Sequence, residues 1–90
     1  MAVIITAEVA GQTREGYDGM LSALAEPMRQ TPGFLFHGAY QGDDDSWRVV
    51  EVWETREQAN GFFAKHIAPN LPPGVRPKRR AYALVGCVQP

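Results

Sequence analysis

Three stretches of this chain carry apolar residues on both faces of an extended strand. In Ala2–Val9, the residues Val3, Ile5, Ala7 and Val9 alternate with Ile4 and Thr6. In Phe34–Gln41, the residues Phe34, Phe36 and Tyr40 alternate with Leu35, His37 and Ala39. In Arg80–Val88, the residues Tyr82, Leu84 and Val88 alternate with Ala81, Ala83, Val85 and Cys87. A sheet with one wet face alternates apolar and polar residues, so a sheet built from these strands needs cover on both sides. The chain supplies only two helical stretches, which can cover one face. A second copy, packed through the uncovered face, is the economical way to cover the other. Left bare, that face would exceed the ~300–600 Å² apolar patch usual on a monomer.

The remaining elements follow from periodicity and capping. Thr13 is placed to cap a helix in which Tyr17, Met20, Leu21, Leu24 and Met28 share one face. Pro27 lacks an amide donor and predicts a bend or fraying one turn earlier, and Thr31-Pro-Gly33 ends the element. Gly42-Asp-Asp-Asp-Ser46 is a polar turn leading into a third strand, Trp47–Trp53, antiparallel to the second. Thr55 and Gln58 form an S/T-x-x-E/Q capping box for a helix carrying Ala59, Phe62, Phe63, His66 and Ile67, which Pro69 stops. Asn70–Arg79, with three prolines and a glycine, predicts a surface connection. The order is β-α-β-β-α-β, a ferredoxin-like α+β domain with a four-stranded antiparallel sheet. Pairing through the uncovered face makes it a dimeric α+β barrel.

Composition excludes several functions. Ninety residues make one domain, which buries only about two-thirds of its unfolded surface, so self-association would help it. A net charge of −1 argues against nucleic acid, whose binders carry a basic excess. The run Arg76-Pro-Lys-Arg-Arg80 predicts a solvated loop entering the last strand. A single cysteine, Cys87, rules out an internal disulfide, and His37 and His66 alone cannot hold a metal. No flavin motif is visible, so no cofactor is expected. The N-terminus has no basic region before Glu8 and resembles neither a signal peptide nor a membrane span. A cytoplasmic location is expected, with no membrane partner.

The segment Thr31-Pro-Gly-Phe34, the hairpin, and Arg48-Val-Val-Glu-Val-Trp-Glu-Thr-Arg-Glu-Gln58 resemble the antibiotic-biosynthesis-monooxygenase-like family over nearly the whole chain. There a "PGF" or "PGC" opens strand two, and a segment of the form (V)xExW(E)(S/T)xE carries strand three into helix two. The resemblance implies a homodimeric small-molecule protein. The family includes cofactor-independent quinone-forming monooxygenases, haem-degrading enzymes and polyketide cyclases or isomerases. Haem-degrading members place an Asn on strand one and a Trp and a His on helix two. Here Thr6 or Ala7, Phe62 and the stretch Pro69-Asn-Leu-Pro72 stand there instead. Cofactor-free oxygenases use a Trp at the end of strand three, which Trp53 matches, and an earlier Asn, where Val49 stands.

The implied activity is a cofactor-independent monooxygenase acting on an aromatic or polyketide-like phenol or enol. A polyketide cyclase or isomerase, or a non-catalytic ligand-binding dimer, is the alternative. Such an oxygenase needs a base to favour the substrate anion, apolar walls, and donors for an oxyanion. His37 and His66 can exchange protons near neutral pH, although each also fits a structural histidine. Glu51, among Val49, Val50, Val52 and Trp53, should be buried and in need of a partner. Arg48 or Arg80 is the expected partner, and a catalytic base is the other reading. Trp53 joins these as a candidate catalytic residue. Tyr40, Tyr17, Phe62, Phe63 and Tyr82 are the candidate substrate-binding residues, though aromatic density is also what a core looks like. Cys87 is expected to be a small buried apolar residue. The pocket is expected between the sheet and the helices, with a volume above roughly 300 Å³ if it serves a small molecule.

Overall fold

A computed structural model describes residues 2–90. Its elements are β1 (Val3–Ala10), α1 (Arg14–Gln30), β2 (Phe34–Gln41), β3 (Trp47–Trp53), α2 (Arg56–Phe62) and β4 (Arg76–Ala83), with a π-helical turn (Phe63–Ile67) and a 3-10 turn (Ala68–Asn70) following α2. The four strands form one antiparallel sheet in the order β2-β3-β1-β4, the ferredoxin-like α+β arrangement. Both helix starts use the side chains their sequences suggest. The Thr13 hydroxyl accepts from Gly16 N–H at 3.0 Å, and the Thr55 hydroxyl accepts from Gln58 N–H at 3.1 Å. Helix α1 runs through Pro27 to Gln30. Just past its end, Thr31 Oγ1 donates to the Pro27 carbonyl at 2.6 Å.

The core lies between the helices and one face of the sheet. Trp53 and Met28 are its most enclosed large side chains, packed with Val3, Ile5, Leu24, Ala59 and Phe62. The Thr31-Pro-Gly33 turn fixes where β2 enters. Gly33 has φ +88°, and a Cβ there would collide with the Gln58 side-chain amide, so this position needs glycine both for its backbone conformation and for space.

Three expectations are corrected. The last strand starts at Arg76 and ends at Ala83, so Arg76–Arg79 belong to the sheet and the strand does not reach Val88. Pairing decides this over composition: each residue of β1 from Val3 to Ala10 has a partner in β4, from Ala83 back to Arg76. Cys87 therefore lies beyond the sheet and is exposed. The second helix changes pitch after Phe62 and ends in the π and 3-10 turns.

The third correction concerns strand faces. The register of β2 against β3 shifts between Phe34 and Phe36. That irregularity turns Phe34 and His37 to the same side, since Phe34 pairs with Trp53 and His37 with Glu51. Phe36, Gly38 and Tyr40 then share the opposite face with Val52, Val50 and Arg48. On β4 that uncovered face carries Arg76, Lys78, Arg80 and Tyr82. The face is thus apolar around Ile4, Phe36, Val50, Val52 and Tyr82, and charged around Glu8, Arg48, Lys78 and Arg80.

Replacing Thr55 by Ala removes the cap of α2, and is expected to lower stability by about 1 kcal/mol. In thermal unfolding this appears as a fall in Tm of about 4–8 °C.

Candidate functional site

On the covered face, α1, the sheet and the turns after α2 enclose a cavity of about 350 Å³, above the volume set out for a small-molecule site. Its floor comes from Ile5, Ala7, Val49 and Glu51 of the sheet, with His37 and Arg79 at the sides. Helix α1 contributes Gly16, Tyr17, Gly19 and Met20, and the π-helical turn contributes Phe63, His66 and Ile67. A π turn widens the helix locally, a feature frequent at functional sites, and here it directs three side chains to one cavity.

A line of hydrogen bonds runs from the cavity into the core. The Tyr17 hydroxyl lies 2.8 Å from His37 Nε2, and His37 Nδ1 lies 2.7 Å from Glu51 Oε2. The second Glu51 oxygen accepts from Trp53 Nε1 at 2.9 Å. With the carboxylate ionised, Nδ1–H donates to Glu51, and Nε2 of the neutral ring accepts from the Tyr17 hydroxyl. Both side chains of the His37–Glu51 pair are under one-tenth exposed. Burial pushes the Glu51 carboxyl up, but hydrogen bonds from His37 and Trp53, with the nearby charge of Arg79, outweigh it and hold it below the ordinary range. Burial, then the charges of Glu51 and Asp18, raises the Tyr17 phenol, so Tyr17 stays a neutral donor. Its ring stacks on Trp47, with centroids 5.5 Å apart, and on His37 at 6.0 Å.

Arg79 closes another side. Its guanidinium carbon sits 4.2 Å from the Phe63 ring centroid, Nη1 donates to Asn60 Oδ1 at 3.3 Å, and Nη2 is buried with no partner. Burial pulls its pKa down while the Glu51 charge opposes that. His66 also lines the cavity, its ring tilted by 33° against that of Phe62 with centroids 4.6 Å apart.

Of the residues singled out from sequence, the structure brings Tyr17, His37, Glu51, Phe63 and His66 to the cavity. Trp53 lies fully buried behind Glu51. Phe62 is a core residue between Trp53 and His66 and does not line the cavity. Tyr40 and Tyr82 lie half-exposed on the opposite face of the sheet, Tyr40 because of the β2 irregularity and Tyr82 because it pairs with Ile4. Glu51 is partnered by His37 and Trp53, whereas Arg48 pairs with Glu8 at 3.4 Å and reaches Asp44 at 3.9 Å. Sequence reasoning missed Arg79, which it assigned to a connection. The alternation of Pro77, Arg79 and Ala81 would have found it once the strand start was set at Arg76. Among the described residues no cluster of three or more His, Cys, Asp or Glu could hold a metal ion, and no helix is long and apolar enough to cross a membrane.

The sequence model described as antibiotic biosynthesis monooxygenase matches residues 1–66. No curated protein matches the sequence. Among solved structures, a mutant of SnoaB, a cofactor-independent oxygenase from Streptomyces nogalater, superposes with a TM-score of 0.70 at 14% identity, covering 97% of this chain and 95% of that one. Rv0793 from Mycobacterium tuberculosis gives a TM-score of 0.68 at 15% identity over 99% and 100% of the two chains. A mutant of MhuD, with two manganese protoporphyrin IX bound per active site, gives 0.67 at 19% identity over the whole of both. At these identities the likeness is one of fold.

The lowered Glu51 pKa has a direct consequence for acid stability. The folded state holds fewer protons on this group than the unfolded chain, so its contribution is present at neutral pH. It is lost as pH falls from about 4.5, the ordinary glutamate value, through the lower folded value. Glu51→Gln should lose about 2 kcal/mol at pH 7, where two charge-assisted hydrogen bonds are weakened. It should also show a shallower fall in Tm between about pH 5 and pH 3 than the parent, read from thermal melts across that range.

Proposed function

The chain belongs to the antibiotic biosynthesis monooxygenase family, and we propose that it is a cofactor-independent monooxygenase acting on a planar phenol or enol of aromatic or polyketide-like character. The observation that carries this reading is the Tyr17–His37–Glu51 line, in which a histidine oriented by a buried carboxylate and a tyrosine open onto a largely apolar cavity. A substrate hydroxyl donates to Tyr17 Oη while Tyr17 passes its own proton to His37 Nε2. The imidazolium so formed is stabilised by Glu51, as general-base catalysis requires. The substrate anion gives one electron to dioxygen, and the radical pair recombines as a C–O bond to give a peroxide anion. That anion recovers the proton through Tyr17. Loss of the ring C–H proton then breaks the O–O bond, leaving a quinone carbonyl and releasing hydroxide, which takes up that proton as water. One phenol and one O₂ thus give one quinone and one H₂O.

Arg79, with Nη2 lacking a partner beside the cavity, is the donor available to a developing oxyanion. Met20, Val49, Phe63 and Ile67 form apolar walls, which shield a radical pair from water. His66 faces the ligand from the π turn. In this reading a second copy covers the outer face, where Phe36 and Tyr82 are about half exposed beside Ile4, Val50 and Val52.

Oxygen-electrode assays with a phenolic substrate, without added metal or flavin, should show uptake stoichiometric with quinone. His37→Ala should lower kcat by about 10²-fold or more and Tyr17→Phe by a similar order. Turnover that survives alanine at both His37 and His66 would overturn the assigned roles, and an unchanged product yield without oxygen would mark a cyclase or isomerase. Sedimentation equilibrium should give a dimer, and Val50→Asp, which puts a charge in the apolar part of the outer face, should give a monomer.

A further inference from the structure

A phenol gives up an electron readily only when its proton can leave with it, because the oxidised phenol is a very strong acid. A tyrosine inside a protein is therefore oxidisable when a proton acceptor is already bonded to its hydroxyl. The chain has three tyrosines, and they differ in this respect. Tyr40 and Tyr82 are 54% and 51% exposed on the outer face of the sheet. Their cross-strand neighbours there are Arg48 and Ile4, neither of which accepts a proton. Tyr17 is buried, and its hydroxyl lies 2.8 Å from His37 Nε2. The Glu51 carboxylate, 2.7 Å from Nδ1, stabilises the imidazolium that forms when this proton moves. Burial, then the charges of Glu51 and Asp18, keeps the phenol from ionising by itself, so its proton and electron must leave together. Tyr17 also has a contact leading outward. Its ring stacks on that of Trp47, with centroids 5.5 Å and planes 29° apart, and Trp47 opens β3 in a partly exposed position next to the polar turn. The proton relay makes no use of this stack, whereas an electron does.

We propose that Tyr17 is a redox-active tyrosine, oxidised to a neutral phenoxyl radical with its proton held on His37, and that Trp47 connects it to solvent. The use made of this chemistry rests on the oxygenase reading above. When superoxide leaves the cavity as hydroperoxyl, taking the relayed proton with it, a neutral substrate radical is stranded and His37 is again free to accept. Tyr17 gives that radical one electron and returns it to the anion, while the Tyr17 O–H bond breaks and an N–H bond forms at His37 Nε2. A one-electron reductant of the thiol or ascorbate class in solution then supplies an electron through Trp47, and His37 returns the proton to Tyr17. The cycle leaves the substrate anion, the original side chains and an oxidised reductant.

The test is flash photolysis with tris(bipyridine)ruthenium and a sacrificial electron acceptor, which together make a diffusing one-electron oxidant. Transient absorption follows the rate, and electron paramagnetic resonance of rapidly frozen samples identifies the radical. The reference protein is Tyr40→Phe/Tyr82→Phe, in which Tyr17 is the tyrosine that remains. It should yield a neutral tyrosyl radical that forms more slowly in D2O than in H2O, because the proton moves with the electron. Adding Tyr17→Phe should abolish that signal. His37→Gln, which keeps a hydrogen-bonding side chain but no base, should slow radical formation by about 10²-fold. Glu51→Gln, which leaves the imidazole a weaker base, should slow it by less, and circular dichroism reports whether each variant keeps its fold. Trp47→Phe should slow formation while the spectrum stays tyrosyl. Absence of a tyrosyl radical in the reference protein, or a rate indifferent to D2O or to both His37→Gln and Glu51→Gln, would overturn the assignment of Tyr17. An unchanged rate in Trp47→Phe would overturn the route to solvent. A Tyr17 radical in a protein that takes up no oxygen with phenols would defeat the oxygenase reading and leave the redox assignment standing. Oxygen uptake with no Tyr17 radical would do the reverse.

Discussion

Among the described residues Glu51 is the one charged residue that is buried as a whole, and both the core and the cavity are arranged around its carboxylate. Burying an unpaired charge is prohibitive, so each oxygen has its own donor: the Trp53 indole on the core side and the His37 imidazole on the cavity side. Trp53 is fully enclosed, against Phe34 and Phe62, so the carboxylate is held by packing as well as by hydrogen bonds. Because Glu51 accepts on the His37 Nδ1 side, Nε2 is left as the acceptor toward Tyr17. The proton arrangement at the cavity is thereby set by a group whose other half belongs to the hydrophobic core. In such a network, removing one member leaves a buried partner unsatisfied, so fold and site are sensitive to the same substitutions.

The geometry further depends on the register shift at the start of β2. Strict alternation from Phe34 would send His37 to the far side of the sheet. The shift between Phe34 and Phe36 places both Phe34 and His37 over β3, next to Trp53 and Glu51, and sends Tyr40 away. An irregularity that re-aims a side chain beside a site is a common use of a bulge. The Thr31-Pro-Gly33 turn, locked by the positive φ of Gly33 and by Gln58 of α2, fixes the point from which this register is counted.

Much of the fold was legible in the sequence because it is specified locally. Thr13 and Thr55 announced the helix starts, the Tyr17–Met28 spacing identified the buried face of α1, and the aromatic and β-branched runs marked β1, β2 and β3. Features specified by pairing were not legible. The run Ala81–Val88 has stronger strand composition than Arg76–Arg80, yet β1 offers partners only up to Ala83, so the basic segment became sheet and the apolar one did not. The same dependence hid Arg79 and misplaced Tyr40 and Tyr82. Glu51 was recognisable as a buried carboxylate needing a partner, but identifying that partner required knowing which way His37 points, which one displaced residue decides.

The composition of β4 bears on how copies of the chain can associate. It is an edge strand, and an edge presents unpaired backbone groups to any passing strand. Here the edge contains Pro77, which has no amide to offer, flanked by Arg76, Lys78 and Arg80, whose exposed charges repel a like strand. Side-by-side addition of sheets, the open-ended route to fibres, is thereby discouraged along this border. The outer face carries no such obstacle around Ile4, Val50 and Val52, so the dimer proposed above uses a face that two copies can close between them.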